Sequence, residues 1–208
     1  MAFLTQAQLG YEHAFKAGFR DAYDWHQKVW EAFPSRNGQP RKFLTRLDEL
    51  DGAFRLLILS VEQPERPVWW PEQAWKTKAI APTFWEHSRF RFSLVANPTV
   101  KVRSSRTGQL LKNSRRVPIV KREALLGWLE RKGQQNGFVF DPSETKTVPR
   151  PIQRFIKKGS AGAHAATEFV GQLTVTDHEI FQQAAIQGVG PAKAFGFGML
   201  CLAPIRDV

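Results

Sequence analysis

The sequence predicts an α+β protein, with short strands and amphipathic helices mixed along one chain. Three observations predict this. Lys42–Leu47 and Phe54–Val61 are apolar-rich runs on either side of Asp51-Gly52, a dipeptide suited to the positive-φ turn of a β-hairpin. Arg89–Val95, RFRFSLV, alternates basic and apolar residues, the period of a strand with one wet and one buried face. Tyr23, His26, Trp30 and Phe33 recur instead at helical spacing. At 208 residues this is one domain or two small ones packed together, and 42% hydrophobic content is enough for a core.

In order, Ala2–Leu9 suits an opening strand. A helix follows over Asp21–Phe33, with Asp21 as its cap and Asp24 placing negative charge at the positive end of the helix dipole. Trp30 and Phe33 read as core anchors. Pro34 and the polar run after it close the helix, and the Asp51-Gly52 hairpin comes next. Glu62–Pro71 is a loop with three prolines, and Trp69-Trp70 within it either wedge the loop onto the core or stack on bases. Trp75–Ile80 and Arg89–Val95 are strands. Glu123–Gln135 is a second helix stopped by Gly137, and Phe138–Phe140 is a short strand. Phe169–Val175 is a strand, Asp177 caps a third helix running to Gln187, and Met199–Ala203 is a terminal strand.

Charge narrows the partner. The net charge is +11, from 30 basic and 19 acidic residues. Thirteen of the basic residues fall in two segments without an acid, Lys101–Arg122 and Lys146–His164. The rest of the chain holds 17 basic and 19 acidic residues, so the positive charge is local. Such segments suit a polyanion, whose condensed counterions are released on binding. From the first segment the candidate nucleic-acid contacts are Arg103, Arg106, Lys112, Arg115 and Arg116. From the second, which reads as a mobile loop or hairpin, they are Arg150, Arg154, Lys157 and Lys158.

Gly188–Gly198, GVGPAKAFGFG, follows a helix and leads into a strand. A dinucleotide-binding fingerprint has the opposite order, so that reading is set aside. Gly190 and Lys193 are candidates for close backbone and charge contact with a phosphate. A tight helix-to-strand connection explains the same glycines.

Other classes are poorly matched. Cys201 is the single cysteine, which excludes an internal disulfide framework and fits a reducing compartment. No apolar run approaches the length of a membrane span. The N-terminus lacks the pattern of a signal peptide. The five histidines are scattered and show no metal-ligand spacing.

His26 has two readings by position: a satisfied, half-buried core imidazole, or a general acid or base, since histidine titrates near neutral pH. Tyr23, one turn away, is placed to orient a hydroxyl or the imidazole.

Four stretches together carry a resemblance: Asp21, Tyr23, His26 and Trp30 as D-x-Y-x-x-H-x-x-x-W; RFRFSLVANPT, Arg89–Thr99; RVPIVKREALLGWLERKG, Arg116–Gly133; and GVGPAKAFGFGMLCLAP, Gly188–Pro204. The chain resembles the CasE family, the CRISPR precursor-RNA endoribonucleases of type I-E Cascade. The resemblance implies two tandem ferredoxin-like domains of the RAMP type, residues 1–95 and 96–208. Each would be an antiparallel sheet with helices on one face. It implies binding of the repeat hairpin of precursor CRISPR RNA and a cut at the base of its stem, with no metal or cofactor. It further implies retention of the product in a complex with other Cascade subunits, in the cytoplasm and away from membranes. His26 would be the catalytic acid or base and Tyr23 its helper. A non-catalytic RNA-binding subunit of the same architecture, or a general basic RNA-binding protein, would use the basic segments alone.

Overall fold

The computed structural model describes residues 1–36, 38–104, 107–157 and 159–205. Strand β1 (Ala2–Gly10) turns directly into a short helix, α1 (Tyr11–Lys16), which the sequence did not announce. Six residues are too few to hold a helix by propensity. Packing holds α1, with Ala14 buried in the same cluster as Phe19.

Helix α2 (Ala22–Val29) begins where Asp21 predicts. It stops before Phe33, and a 3-10 turn over Trp30–Ala32 replaces the last α-turn. The ring of Pro34 disfavours helical geometry at the residue before it, and Phe33 sits at φ −133°, ψ 62°. The buried side of α2 is Trp25 and Val29, 6% and 4% exposed. Tyr23, His26 and Trp30 lie on the half-buried flank; Trp30 packs against the edge of the core and Phe33 is buried in it.

Strands β2 (Phe43–Leu50), β3 (Ala53–Ser60) and β4 (Trp75–Ile80) join β1 in an antiparallel sheet of order β2-β3-β1-β4. One face carries α1 and α2 over Trp25, Phe33, Phe43, Ile58 and Trp70. Trp70 is the wedge that pins the proline-rich loop, its indole N–H donating to the Gln8 carbonyl at 3.1 Å. Trp69 stays 37% exposed.

The second sheet is built from β5 (Arg89–Ala96), β8 (Phe138–Phe140), β9 (Lys146–Lys157), β10 (Ser160–Val175) and β11 (Leu200–Pro204). Its order is β11-β5-β10-β8, with β9 pairing along β10. Because β5 hydrogen-bonds to β10 and β11, the sheets divide between Ile80 and Arg89, not at residue 95 as expected. A separate two-stranded arm, β6 (Thr99–Ser104) and β7 (Leu110–Pro118), follows β5. Helices α3 (Arg122–Gln135) and α4 (His178–Gln187) are the two expected there. The core of this half gathers Trp128 and Leu129 of α3, Phe181 of α4, and Phe90, Phe138 and Phe169 of the sheet. Asp177 caps α4, accepting from the Ile180 N–H at 2.9 Å.

The second basic segment is a hairpin, β9 with the outer part of β10. Its ladder shifts register between His164 and Ala166, where residues 151 and 152 of β9 stand opposite residue 165 alone. This bulge lets Arg150 and Gln153 share a face, as do their partners Ala166 and His164.

The halves meet along a polar seam and an apolar one. Arg46 of β2 donates to Asp48 at 2.9 Å, to Glu168 of β10 at 2.8 Å and to Ser93 of β5 at 2.6 Å. Arg55 holds the other Asp48 oxygen at 2.9 Å, and Arg150 of β9 reaches Asp48 at 3.5 Å and Glu168 at 3.6 Å. Beside this network Leu44, Leu59 and Ala2 pack on Met199, with Ile186 and Cys201 at the edge. Both seams leave α2 facing the β9–β10 hairpin and the glycine segment.

Candidate functional site

Asp21 sets the position of α2 and of the hairpin together. Its Oδ1 accepts the N–H groups of Tyr23 and Asp24 at 2.8 and 3.0 Å, which caps the helix. Its Oδ2 accepts the backbone N–H of Ile156 in β9 at 3.0 Å. One carboxylate therefore ties the start of the helix to the far end of the basic hairpin.

One turn on, the His26 ring lies between Trp30 and Phe43, with centroids 6.3 and 6.1 Å away. The Trp30 indole N–H points at His26 Nε2 across 3.4 Å. An indole nitrogen can only donate, so Nε2 accepts, and in the neutral ring the proton sits on Nδ1. The imidazole is half-buried and oriented, not sealed in hydrocarbon.

The glycine segment brings a cation to this helix. Gly188 and Gly198 close it at its base, where Val189 N–H donates to the Gly198 carbonyl at 2.8 Å and Gly198 N–H to the Val95 carbonyl at 2.8 Å. Both glycines have positive φ, +83° and +86°; a Cβ would lie 2.8 Å from Leu44 at the first and 2.7 Å from the Val189 oxygen at the second. These glycines make a tight connection. Between them a 3-10 turn, Lys193–Phe195, lands on α2 and β2. Tyr23 and Phe195 are 6.3 Å apart between centroids. Phe195 in turn meets Phe155 of β9 at 4.2 Å and His164 of β10 at 4.7 Å. His164 Nδ1 is 3.0 Å from the Asn97 amide nitrogen, and burial pushes the imidazole below its ordinary value, favouring the neutral ring.

Lys193 lies on the turn that contacts α2, and Arg41 shares the Phe43 ring with His26. Burial, followed by the charges of Arg41 and Lys132, pushes the Lys193 ammonium down from its ordinary value. Burial does the same to the Arg41 guanidinium, which lies 5.9 Å over the Phe43 ring. Arg41 carried no signal in the sequence, because a basic residue in a polar loop is commonplace.

The structure thus brings together His26, Tyr23 and Lys193 of the predicted site residues. Gly190 faces inward, since a Cβ there would be 3.1 Å from the Trp128 indole. The Arg150 guanidinium lies in the seam between the halves, 3.5 Å from Asp48 and 3.6 Å from Glu168. The acid-free sequence around Arg150 gave no hint of partners from β2 and β10. Arg154 is exposed on the outer face of the hairpin. Arg103, Lys112, Arg115 and Arg116 are exposed on the separate arm, where Lys101 stands opposite Arg116. Arg106 and Lys158 lie outside the described residues; Lys157 ends β9.

Comparison with known proteins supplies the family. A family model described as "CRISPR associated protein" matches residues 2–204. The Cascade subunit CasE of Escherichia coli K12 is 30% identical over 197 residues, 91% of this chain and 96% of that one. The CRISPR-associated endoribonuclease Cse3 of Thermus thermophilus is 27% identical over 210 residues, 92% and 95% of the two chains. A crystal structure of Cas6e from E. coli K-12 matches with a TM-score of 0.74 and 26% identity, covering 99% of this chain and 100% of that one. From its opening strand to its last, then, this chain belongs to the CRISPR-associated CasE (Cse3, Cas6e) family of type I-E Cascade.

Proposed function

We propose that this chain is a metal-independent endoribonuclease that cuts precursor CRISPR RNA at the base of its repeat hairpin. The observation that carries the reading is the placement of His26. It is half-buried on α2, one turn from Tyr23, on a helix tied through Asp21 to a basic hairpin. Membership of a family that includes a named endoribonuclease and a named Cascade subunit agrees with it.

The chemistry balances without an added reactant. The ribose 2′-oxygen attacks the adjacent phosphorus and the P–O5′ bond breaks. A proton leaves the 2′-oxygen and another is delivered to the 5′-oxygen, giving a 2′,3′-cyclic phosphate and a 5′-hydroxyl. Holding the two oxygens in line supplies much of the rate, and a positioned imidazole adds about 10²–10⁴-fold. His26 transfers a proton and Tyr23 orients the hydroxyl or the ring.

The framework for this is a pair of ferredoxin-like units. Numbered within its own half, each large sheet reads 4-1-3-2, as β4-β1-β3-β2 and β11-β5-β10-β8. In the first unit the proline-rich loop pinned by Trp70 stands in for the second helix. In the second, the β6–β7 arm and β9 are additions, and both are basic. The cut RNA stays on these basic additions within Cascade.

The test is incubation of the purified protein with its repeat hairpin in EDTA. Cleavage that survives chelation, leaves a cyclic phosphate, and falls about 10²–10⁴-fold in His26→Ala with hairpin binding retained is expected. Cleavage undiminished in that variant would remove His26 from the reaction. Tight binding without any cut would favour the non-catalytic RNA-binding subunit.

A further inference from the structure

Among the described residues, the two buried guanidinium groups are answered by carboxylates. Arg36 pairs with Glu62, and Arg46 with Asp48 and Glu168. Half-buried Arg41 differs: its Nη1 is buried with no hydrogen-bond partner, and unlike Arg36 and Arg55, each of which also has an unpartnered Nε, it has no carboxylate partner among the described residues. Leaving such a donor unsatisfied is costly. Lys193 sits on a turn that packs against β2, which begins two residues beyond Arg41, and it is close enough to feel that charge. It adds a second positive charge, itself partly buried, and its turn is entered through Ala192 at φ +61°. An alanine in the left-handed region is unfavourable backbone, and it is held there by the loop that closes on Val95. Two like charges in a partly dry place are mutually destabilising until an anion joins them.

The surroundings say where that anion lies. Arg41 and His26 both border the Phe43 ring, at 5.9 and 6.1 Å. The turn bearing Lys193 contacts both α2 and β2. The aromatic ring under the guanidinium limits its swing, leaving its planar fork of donors to meet two oxygens of one anion.

We propose that Arg41 and Lys193 form one anion subsite beside His26 that grips the non-bridging oxygens of the phosphate being cut. The assignment rests on the endoribonuclease reading and names two further residues for it. The guanidinium and ammonium neutralise the charge that builds on those oxygens as the 2′-oxygen attacks. Both cations are in place before the RNA arrives, so little reorganisation accompanies the reaction.

The probe is the repeat hairpin with one neutral methylphosphonate, moved in turn through each linkage flanking the stem base. It is measured by equilibrium binding to wild type, Arg41→Gln and Lys193→Gln. For wild type, one position should weaken binding about tenfold. In each Gln variant the all-phosphate hairpin should bind about that much more weakly, and neutralising the same linkage should cost little more. Single-turnover cleavage of the all-phosphate hairpin should fall about 10²-fold in either variant. Should Arg41→Gln melt well below wild type, Arg41→Lys with Lys193→Gln decides. Arg41→Lys should still discriminate against the neutral linkage while cutting more slowly. Full discrimination persisting in folded Arg41→Gln or Lys193→Gln overturns the subsite. A wild-type protein that binds but never cuts defeats the endoribonuclease reading instead, and the binding scan still decides whether these two cations hold a phosphate.

Discussion

The Asp21 carboxylate accepts the Ile156 backbone N–H at 3.0 Å while its other oxygen caps α2, so two segments 135 residues apart share one acceptor group. Asp21→Asn separates the two roles. The amide oxygen still caps the helix, but the amide nitrogen turned toward Ile156 is a donor and cannot accept. The expected outcome is unchanged helix content with hydrogen exchange at the Ile156 amide faster by about tenfold. Slower cleavage should accompany it. Unchanged exchange at Ile156 would mean that the hairpin is held by its aromatic contacts alone.

The seam between the halves makes stability acid-sensitive. Burial alone would raise both the Asp48 and Glu168 carboxyls. For Asp48 the bonds and charges of Arg55 and Arg46 outweigh it; for Glu168 the Ser93 and Arg46 bonds and the Arg46 and Arg150 charges do. Both carboxyls therefore lie below their ordinary range. A carboxyl depressed in the folded state binds fewer protons there than in the unfolded chain. Its stabilisation is complete above the unfolded value, near pH 4, and is lost as pH falls through the folded one. Melting temperature should drop steeply below about pH 4. Asp48→Asn, which leaves Arg46 short of a partner, should cost about 3 kcal/mol at pH 7 and flatten that drop. A pH profile identical to wild type would contradict the assignment.

Gly198 tests the glycine segment. Its φ is +86°, and the Val189 oxygen would stand 2.7 Å from any Cβ added there, which leaves no room for a side chain. Gly198→Ala should destabilise by about 1 kcal/mol or more. It should also slow cleavage beyond what lost stability explains, because the Lys193 turn is carried by this loop. Denaturant titration and single-turnover rates at one temperature give the comparison.

On the arm, Lys101 and Arg116 face one another across β6 and β7, an unfavourable pairing until an anion lies between them. Arg116→Gln should leave the fold intact, weaken RNA binding evenly across sequences, and reduce the salt slope of log K by about 1. An unaltered slope would place the arm away from the RNA.

What was legible in the sequence was local. Asp51-Gly52, the alternation in RFRFSLV and the Asp177 cap each act within a few residues, and each element formed where they indicated. The buried stripe of α2 was not legible, because Trp25–Val29 and Tyr23–His26–Trp30 are both apolar or aromatic sets at helical spacing, about a third of a turn apart, and spacing alone does not rank them. β10 extends beyond Phe169–Val175 because SAGAHAA, poor in β-branched residues, is held as strand by pairing with β9. The arm was hidden because its valines, Val100 and Val102 on one face with Val117 opposite, are few within a run dominated by lysine and arginine. Arg46, Arg150 and Arg41 were illegible for one reason: whether a cation meets a carboxylate depends on strands far apart in the chain.

Strand β10 has a further consequence. Its sixteen residues run from the hydrophobic interior, at Phe169 and Leu173, out to the tip beside α2. Side chains alternate along it, so a single residue inserted between the bulge and His164 would turn His164 away from Phe155 and Phe195. Changes by pairs of residues keep the inward faces of the hairpin, whereas an odd change needs a compensating bulge such as the one between His164 and Ala166.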